Sequence, residues 1–233
     1  MPRPEVACMS DAENPTPDPV PALTWREGGI PVSTRFDDPY FSLNGGLDET
    51  RHVFLAGNDL PARLRPGFHV AELGFGTGLN LLALAAATEA PIRFTSFEAF
   101  PMTGADLARA HAAFPGLAQL AEALRAGITA GRGRFQVGQI EAEVIHGDAR
   151  ETLRAWDGRA DAWFLDGFSP ARNPEMWGAP LMAEVARHTA PKGTFATYTA
   201  AGHVRRALTE AGFAVERRQG FAGKRHMSVG WLA

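Results

Sequence analysis

The sequence predicts an α/β domain: a mostly parallel sheet with helices on both faces, finished by an antiparallel hairpin. Three observations predict it. Short apolar runs of strand character alternate with helix-like segments from Phe68 to Ala211, the pattern of right-handed βαβ units. The last two runs, Phe213–Arg218 and His226–Leu232, have no helix between them and can pair only as antiparallel neighbours. A glycine-rich turn, Gly74 to Gly78, follows the first run directly, where such sheets bind ligands at the carboxyl ends of their strands.

The elements follow in order. Residues 1–24 carry Pro2, Pro4, Pro15, Pro17, Pro19 and Pro21 among acids and small residues, with no apolar period; they read as a flexible tail. The domain is expected over residues 25–233. Thr34 to Leu47 is rich in turn formers and aromatics, and Glu49–Leu55 reads as a helix or loop. Phe68–Gly74 is a buried strand ending in glycine. Leu79–Ala87 is a helix of alanine and leucine, Ile92–Glu98 an alternating strand, and Thr103–Ala113 and Leu117–Ala126 are helices. Phe135–Val137 and Glu141–Val144 flank Gly138 and read as a hairpin or a bulged strand. Ala149–Ala155 is a short helix, and Ala160–Asp166 a strand ending in a carboxylate. The helix Pro180–His188 stops before Pro191, Lys192 and Gly193, the strand Thr194–Thr199 follows, and the helix Gly202–Ala211 stops at Gly212.

Composition excludes several classes. A chain of 233 residues and 25.0 kDa fits one domain with an appendage. With 45% hydrophobic and 21% charged residues it is not wholly disordered. No apolar run approaches the roughly 20 residues that span a bilayer. No basic segment followed by an apolar one opens the chain, so export is not expected. The one cysteine, Cys8, can form neither an internal disulfide nor a thiolate zinc cage. The expected compartment is the cytoplasm. The seven histidines show no helical metal spacing, so no metal is expected. The net charge of −3 hides an asymmetry: residues 205–226 sum to +4, through Arg205, Arg206, Arg217, Arg218, Lys224 and Arg225 against two glutamates. That region can face solvent or meet a polyanion, and in the second case binding weakens steeply with salt.

Spacing within the glycine turn separates ligands. A dinucleotide fingerprint wants glycine three residues after Gly76, where Leu79 stands; the third glycine comes at Gly78 instead. Glu72-Leu73-Gly74-Phe75-Gly76-Thr77-Gly78-Leu79-Asn80 thus resembles the loop that binds S-adenosylmethionine. Two acids join it. Glu98 ends the second strand of the series and can accept hydrogen bonds from both ribose hydroxyls. Asp148 ends the third, beside Ala149, where it can face an adenine ring or cap the next helix. Asp166 ends the fourth, followed by Gly167, Phe168, Ser169 and Pro170. Amino-methyltransferases carry an acid or amide with prolines and an aromatic at this place. An alkylamine with a pKa of roughly 10 is protonated at neutral pH. Burial frees its lone pair, and Asp166 would orient the nitrogen and stabilise the cation that forms on it. A strand-end turn cap is the plainer role for Asp166.

The whole arrangement is that of class I SAM-dependent methyltransferases (Rossmann-like), with a mostly parallel seven-stranded sheet ending in an antiparallel hairpin. Long motifs narrow the resemblance. Residues 37–42 (Asp-Asp-Pro-Tyr-Phe-Ser), 46–55, 72–80, 97–101, 163–170, 173–177 and 224–227 (Lys-Arg-His-Met) resemble the methyltransferase domain of MnmC proteins over about residues 30–230. That resemblance implies N-methylation, by S-adenosylmethionine, of 5-aminomethyl-(2-thio)uridine at the tRNA wobble position, giving 5-methylaminomethyl-(2-thio)uridine. It implies a cofactor site of Glu72, Gly74, Phe75, Gly76, Thr77, Gly78, Asn80, Glu98, Asp148, Ala149 and Asp166, with Asp166 catalytic. Tyr40, Phe41, Phe168, Lys224 and Arg225 would lie at the substrate entrance. Many MnmC proteins continue into a flavin-dependent oxidase. Only one nucleotide loop is visible here, so the expectation is a stand-alone methyltransferase without FAD, with another enzyme supplying the amine. The expected partner is the tRNA anticodon loop. Phe36, Tyr40, Phe41 and Trp177 can stack on a flipped base or pack a lid. The competing readings are a methyltransferase of small-molecule amines and a nucleotide-binding module without chemistry.

Overall fold

The computed structural model describes residues 20–42, 45–131 and 133–233. The tail expected over residues 1–24 lies outside the described residues up to position 19; chain pairing already begins at Leu23.

Eleven strands form two sheets among the described residues. The small one joins β1 (Leu23–Arg26), β2 (Ile30–Ser33) and β3 (Asp38–Pro39), all antiparallel. It was not expected from the sequence. Its first turn rests on Gly28 and Gly29, both at positive φ, which glycine adopts without a Cβ penalty. The helix α1 (Gly46–Thr50) continues through a π-helical turn over Arg51–Leu55. That turn buries Val53, Phe54 and Leu55, so the ambiguous 49–55 stretch is helical.

The large sheet holds β4 (His69–Leu73), β5 (Ile92–Glu98), β6 (Arg134–Val137), β7 (Ile140–His146), β8 (Ala160–Leu165), β9 (Thr189–Thr197), β10 (Phe213–Gln219) and β11 (His226–Leu232). Their order is β10-β11-β9-β8-β4-β5-β7-β6. Strands β9, β8, β4, β5 and β7 are parallel, so their carboxyl ends share one rim. The hairpin is present, and β11 enters antiparallel between β9 and β10. The sheet has eight strands rather than seven, because β6 pairs antiparallel with β7 at the far edge. A second difference is β9, which starts at Thr189 instead of Thr194. Thr189 pairs with Ala160 and Thr194 with Ala162, and the residues between bulge out, with Lys192 at φ 63°. Pro191 has no N–H to place in a ladder, so the bulge excludes it while the flanking threonines pair.

Period-two alternation along β8 divides the core. Ala162 and Phe164 enter one layer with Val53, Phe54, α2 (Leu79–Ala87) and α4 (Ala118–Thr129). Trp163 and Leu165 enter the other, against α5 (Ala149–Ala155), α6 (Ala179–Arg187) and α7 (Gly202–Glu210). Helix α3 (Gly104–His111) begins at Thr103, whose hydroxyl accepts from the Asp106 N–H. Among the described residues no helix is long and apolar enough to cross a membrane.

Phe164 is fully buried, its ring 5.5 Å from Phe54 and 6.3 Å from Phe94. Phe164→Ala is expected to lower unfolding free energy by about 3–5 kcal/mol in urea titrations. A loss below about 1 kcal/mol would mean that this layer repacks freely.

Candidate active site

The strand rim surrounds a cavity of about 420 Å³. Its floor is the turn after β4. Gly74 sits at φ 81°, and a Cβ there would lie 3.1 Å from Gly167 Cα. The turns after β4 and β8 therefore approach as bare backbone, which brings Asp166 beside the glycine loop.

Three carboxyl groups converge here. Glu98 accepts from Gly76 N–H at 2.8 Å through Oε2 and from Phe100 N–H at 2.7 Å through Oε1. Burial pushes its pKa up, and those backbone donors oppose the shift. Glu72 lies fully buried behind the cavity, accepting from Ser96 Oγ at 2.6 Å and from Asn80 Nδ2 at 2.8 Å. Burial lifts it well above the usual carboxylate range. Asp166 Oδ2 accepts from the same Asn80 Nδ2 at 2.8 Å, and Oδ1 from Gly167 N–H at 2.8 Å. Burial, helped by Glu49, raises the Asp166 pKa to about 7 against the pull of the Gly167 and Asn80 hydrogen bonds and of Lys224. Thr50 donates to Asn80 Oδ1 at 2.9 Å, which fixes the way the amide faces.

The small sheet and the segment after it cover one side. Asp38 accepts from Ser169 N–H at 2.7 Å, and Asp37 pairs with Arg172 at 2.9 Å. Phe36 stacks on Phe168 at 4.5 Å, and Tyr40 meets Phe168 edge-on at 5.0 Å. Burial, with Glu98 nearby, raises the Tyr40 pKa, so its hydroxyl stays protonated. On the other side Lys224 Nζ donates to Glu49 Oε1 at 2.7 Å and lies 4.9 Å from the Tyr198 ring centre. Tyr198 donates to Gly167 O at 2.8 Å.

Of the residues singled out from sequence, Gly74, Phe75, Gly76, Thr77, Asn80, Glu98, Asp148, Ala149, Asp166, Tyr40, Phe41, Phe168 and Lys224 line this cavity. Glu72 and Gly78 stand behind the wall, Gly78 against Phe75 and Leu124. Arg225 is exposed and off the wall, because the start of β11 turns it outward. Asp148 caps α5 through Arg150 N–H at 2.9 Å and pairs with the Arg150 guanidinium, which holds its pKa low. Trp177 is buried with its indole N–H on Phe168 O at 2.9 Å, so it packs beneath the site and cannot stack on a base. The sequence reading missed Glu49, Thr50 and Tyr198 as site residues. Tyr198 lies just past the carboxyl end of β9, a signal that strand-end logic could have used. Among the described residues no group of three or more His, Cys, Asp or Glu side chains could hold a metal.

A family model described as S-adenosyl-L-methionine-dependent methyltransferase matches residues 116–233, just over half of the chain. The chain belongs to this methyltransferase family. Its cosubstrate is therefore S-adenosylmethionine. The methyltransferase is similar to the tRNA 5-methylaminomethyl-2-thiouridine biosynthesis bifunctional protein MnmC of Pseudomonas aeruginosa (strain UCBPP-PA14), at 48% identity over 224 residues, 89% of this chain and 34% of that protein. The protein of the same name from Ectopseudomonas mendocina (strain ymp) is 46% identical over 238 residues, 95% of this chain and 35% of that one. The methyltransferase thus spans about a third of the length of these relatives. The crystal structure of MnmC2 from Aquifex aeolicus superposes with a TM-score of 0.71 at 21% identity, covering 93% of this chain and 71% of that one. Precorrin-6y C5,15-methyltransferase from Geobacter metallireducens GS-15 gives 0.54 at 13% identity, covering 89% and 96%. Both share the class I fold.

The raised Asp166 pKa has a stability consequence. The unfolded chain gives up this proton near the ordinary 3.8, and the folded chain keeps it to about 7. Between those values the folded state binds more protons, so this group's contribution to stability falls as pH rises. Asp166→Asn removes the effect. Its urea midpoint relative to the parent is expected to climb from pH 4 to pH 7.5; a constant difference across that range would contradict the assignment.

Proposed function

We propose that this chain transfers the methyl group of S-adenosylmethionine to the primary amine of 5-aminomethyl-(2-thio)uridine at the tRNA wobble position. The observation that carries the reading is near-half identity, across most of the chain, to proteins named for 5-methylaminomethyl-2-thiouridine biosynthesis. The cavity supports it. A carboxyl group tuned to about 7 shares the cavity with the aromatic cluster of Phe36, Tyr40 and Phe168, which offers a surface for a base.

The residues fit the methyl donor. The Gly74–Asn80 turn offers close backbone, and Glu98, which lines the cavity, would accept hydrogen bonds from the ribose hydroxyls. Asp148 and Ala149 stand at the end of β7, where the adenine would lie. When bound, the donor supplies a methyl group made electrophilic by its sulfonium. The chain's own task is to present a neutral nitrogen. Phe36, Tyr40 and Phe168 exclude water from the amine and lower its pKa. The amine's proton leaves to solvent as burial lowers its pKa, and Asp166, ionised above about pH 7, accepts a hydrogen bond from the neutral nitrogen and orients its lone pair. After transfer it faces the cation left on the secondary amine. Tyr40, Phe41, Phe168 and Lys224 frame the entrance, and Arg225 is positioned outside it to meet the anticodon loop's phosphates. The precursor amine comes from a different active site, and the reaction belongs to the cytoplasm, where tRNA is matured.

The deciding assay combines labelled donor, tRNA bearing the aminomethyl base, and nucleoside analysis. Methylated wobble uridine is the expected product; label only on free amines would move the reading to a small-molecule enzyme. In the same assay Asp166→Ala is expected to abolish turnover while donor affinity stays within a few-fold, and undiminished turnover would remove Asp166 from the mechanism. Glu98→Ala is expected to weaken donor binding by about 1–3 kcal/mol in calorimetry, the scale of hydrogen bonds to a charged group. Parental affinity would refute the ribose assignment.

A further inference from the structure

Lys224 and the proposed substrate carry the same chemistry, a primary alkylammonium beside a carboxylate. Lys224 lies in the loop between β10 and β11, which contains Gly220 and Gly223 and docks on the π-helical turn after α1: Gln219 O, at the end of β10, is 2.9 Å from His52 Nε2, and Phe221 packs 5.9 Å from the His52 ring. Its side chain enters the cavity that Asp166 also lines. Two carboxylates compete for it there. The observed partner is Glu49, at 2.7 Å, with the Tyr198 ring 4.9 Å away as a second surface for the cation. Glu49 is mostly buried, at 12% side-chain exposure against 49% for Lys224, so the fixed member of the pair is the acid. Asp166 is left with two neutral donors, the Asn80 amide and the Gly167 N–H.

We propose that Glu49 is a positioning residue: it latches the Lys224 ammonium on the cavity wall, so that the Asp166 carboxylate stays open to the substrate amine. The inference rests on the amine-methylation reading above. Without the latch, the flexible lysine stem can turn to Asp166, fill the amine's place and neutralise the acceptor. Among the described residues Glu72 behind Asn80, Tyr198 at the end of β9 and Asp38 beyond it also act on this cluster, and none is a cation. The cavity's other cations are held elsewhere, Arg35 over the Phe100 ring and Arg150 by Asp148 and Glu175, and Lys224 is the one whose charge acts on Asp166. Lys224 is thus the competitor that has to be restrained.

The test is a double-mutant cycle of Glu49→Gln and Lys224→Met, which separates a fixed field from a moving cation. Asp166 titration is followed by carbon-13 NMR of labelled aspartate carboxyls, without any substrate. Loss of Glu49's charge alone lowers the midpoint somewhat. The latch requires more: Lys224→Met shifts the midpoint little when Glu49 is present, and raises it by about 1–3 pH units in the Glu49→Gln background, the scale of a contacting opposite charge. Turnover on aminomethyl tRNA falls in Glu49→Gln. Equal Lys224→Met shifts in both backgrounds, or undiminished turnover in Glu49→Gln, would overturn the proposal. Should the parent fail to methylate this tRNA while the titration cycle behaves as described, the substrate assignment falls and the latch stands.

Discussion

Asn80 sits between two carboxyl groups that burial has stripped of water, and its amide nitrogen reaches both, Glu72 and Asp166, at 2.8 Å. Two like charges so close cannot both ionise cheaply inside a protein. The structure divides their roles by environment. Glu72 is sealed behind the wall and driven far up; Asp166 opens on the cavity and lands near neutrality. The amide that bridges them is oriented by Thr50 from α1. Four elements, β4, α1, α2 and the turn after β8, are therefore tied to one hydrogen-bonded node. A polar network of this kind specifies position only when every member is satisfied, and here each oxygen of the two acids has a partner.

The parallel sheet was legible because its strands are buried on both faces and punctuated by glycine and acid at the rim. Ile92–Glu98, Leu79–Ala87, Ala149–Ala155 and His226–Leu232 stand where the pattern placed them. The small sheet was not legible. Its strands are two to four residues long, and β1 is only half-buried; such pairing is decided by what lies beneath it, not by local propensity. The start of β9 was hidden by Pro191, which reads as a break although the ladder resumes around it.

The site shows the same division. Glu98, Asp148 and Asp166 were visible as strand-end acids, one element each, and Glu72 came with the glycine-loop motif. Glu49 and Tyr198 were not, because their meaning lies in pairs: Glu49 with Lys224, Tyr198 with Gly167 and Lys224. Glu49 and Lys224 lie 175 residues apart and Tyr198 and Gly167 lie 31 apart, on different elements in each case, and only the sheet order brings them together. Trp177 erred the other way. An aromatic near the site invites a stacking role, yet its indole N–H is needed to hold the turn that carries Phe168.

The placement of β11 between β9 and β10 bears on synthesis. Translation delivers the glycine turn and the acids first, while the last strand must slot into a gap between two earlier ones. Until it does, the loop bearing Lys224 is unanchored and one side of the chamber is missing. A nascent chain whose β11 has not yet emerged from the ribosome can hold a recognisable half-shell but no closed chamber. The strand that comes latest of the eight is thus the one that joins the sheet's edge hairpin to its parallel body, and the cavity wall carrying Lys224 waits on it.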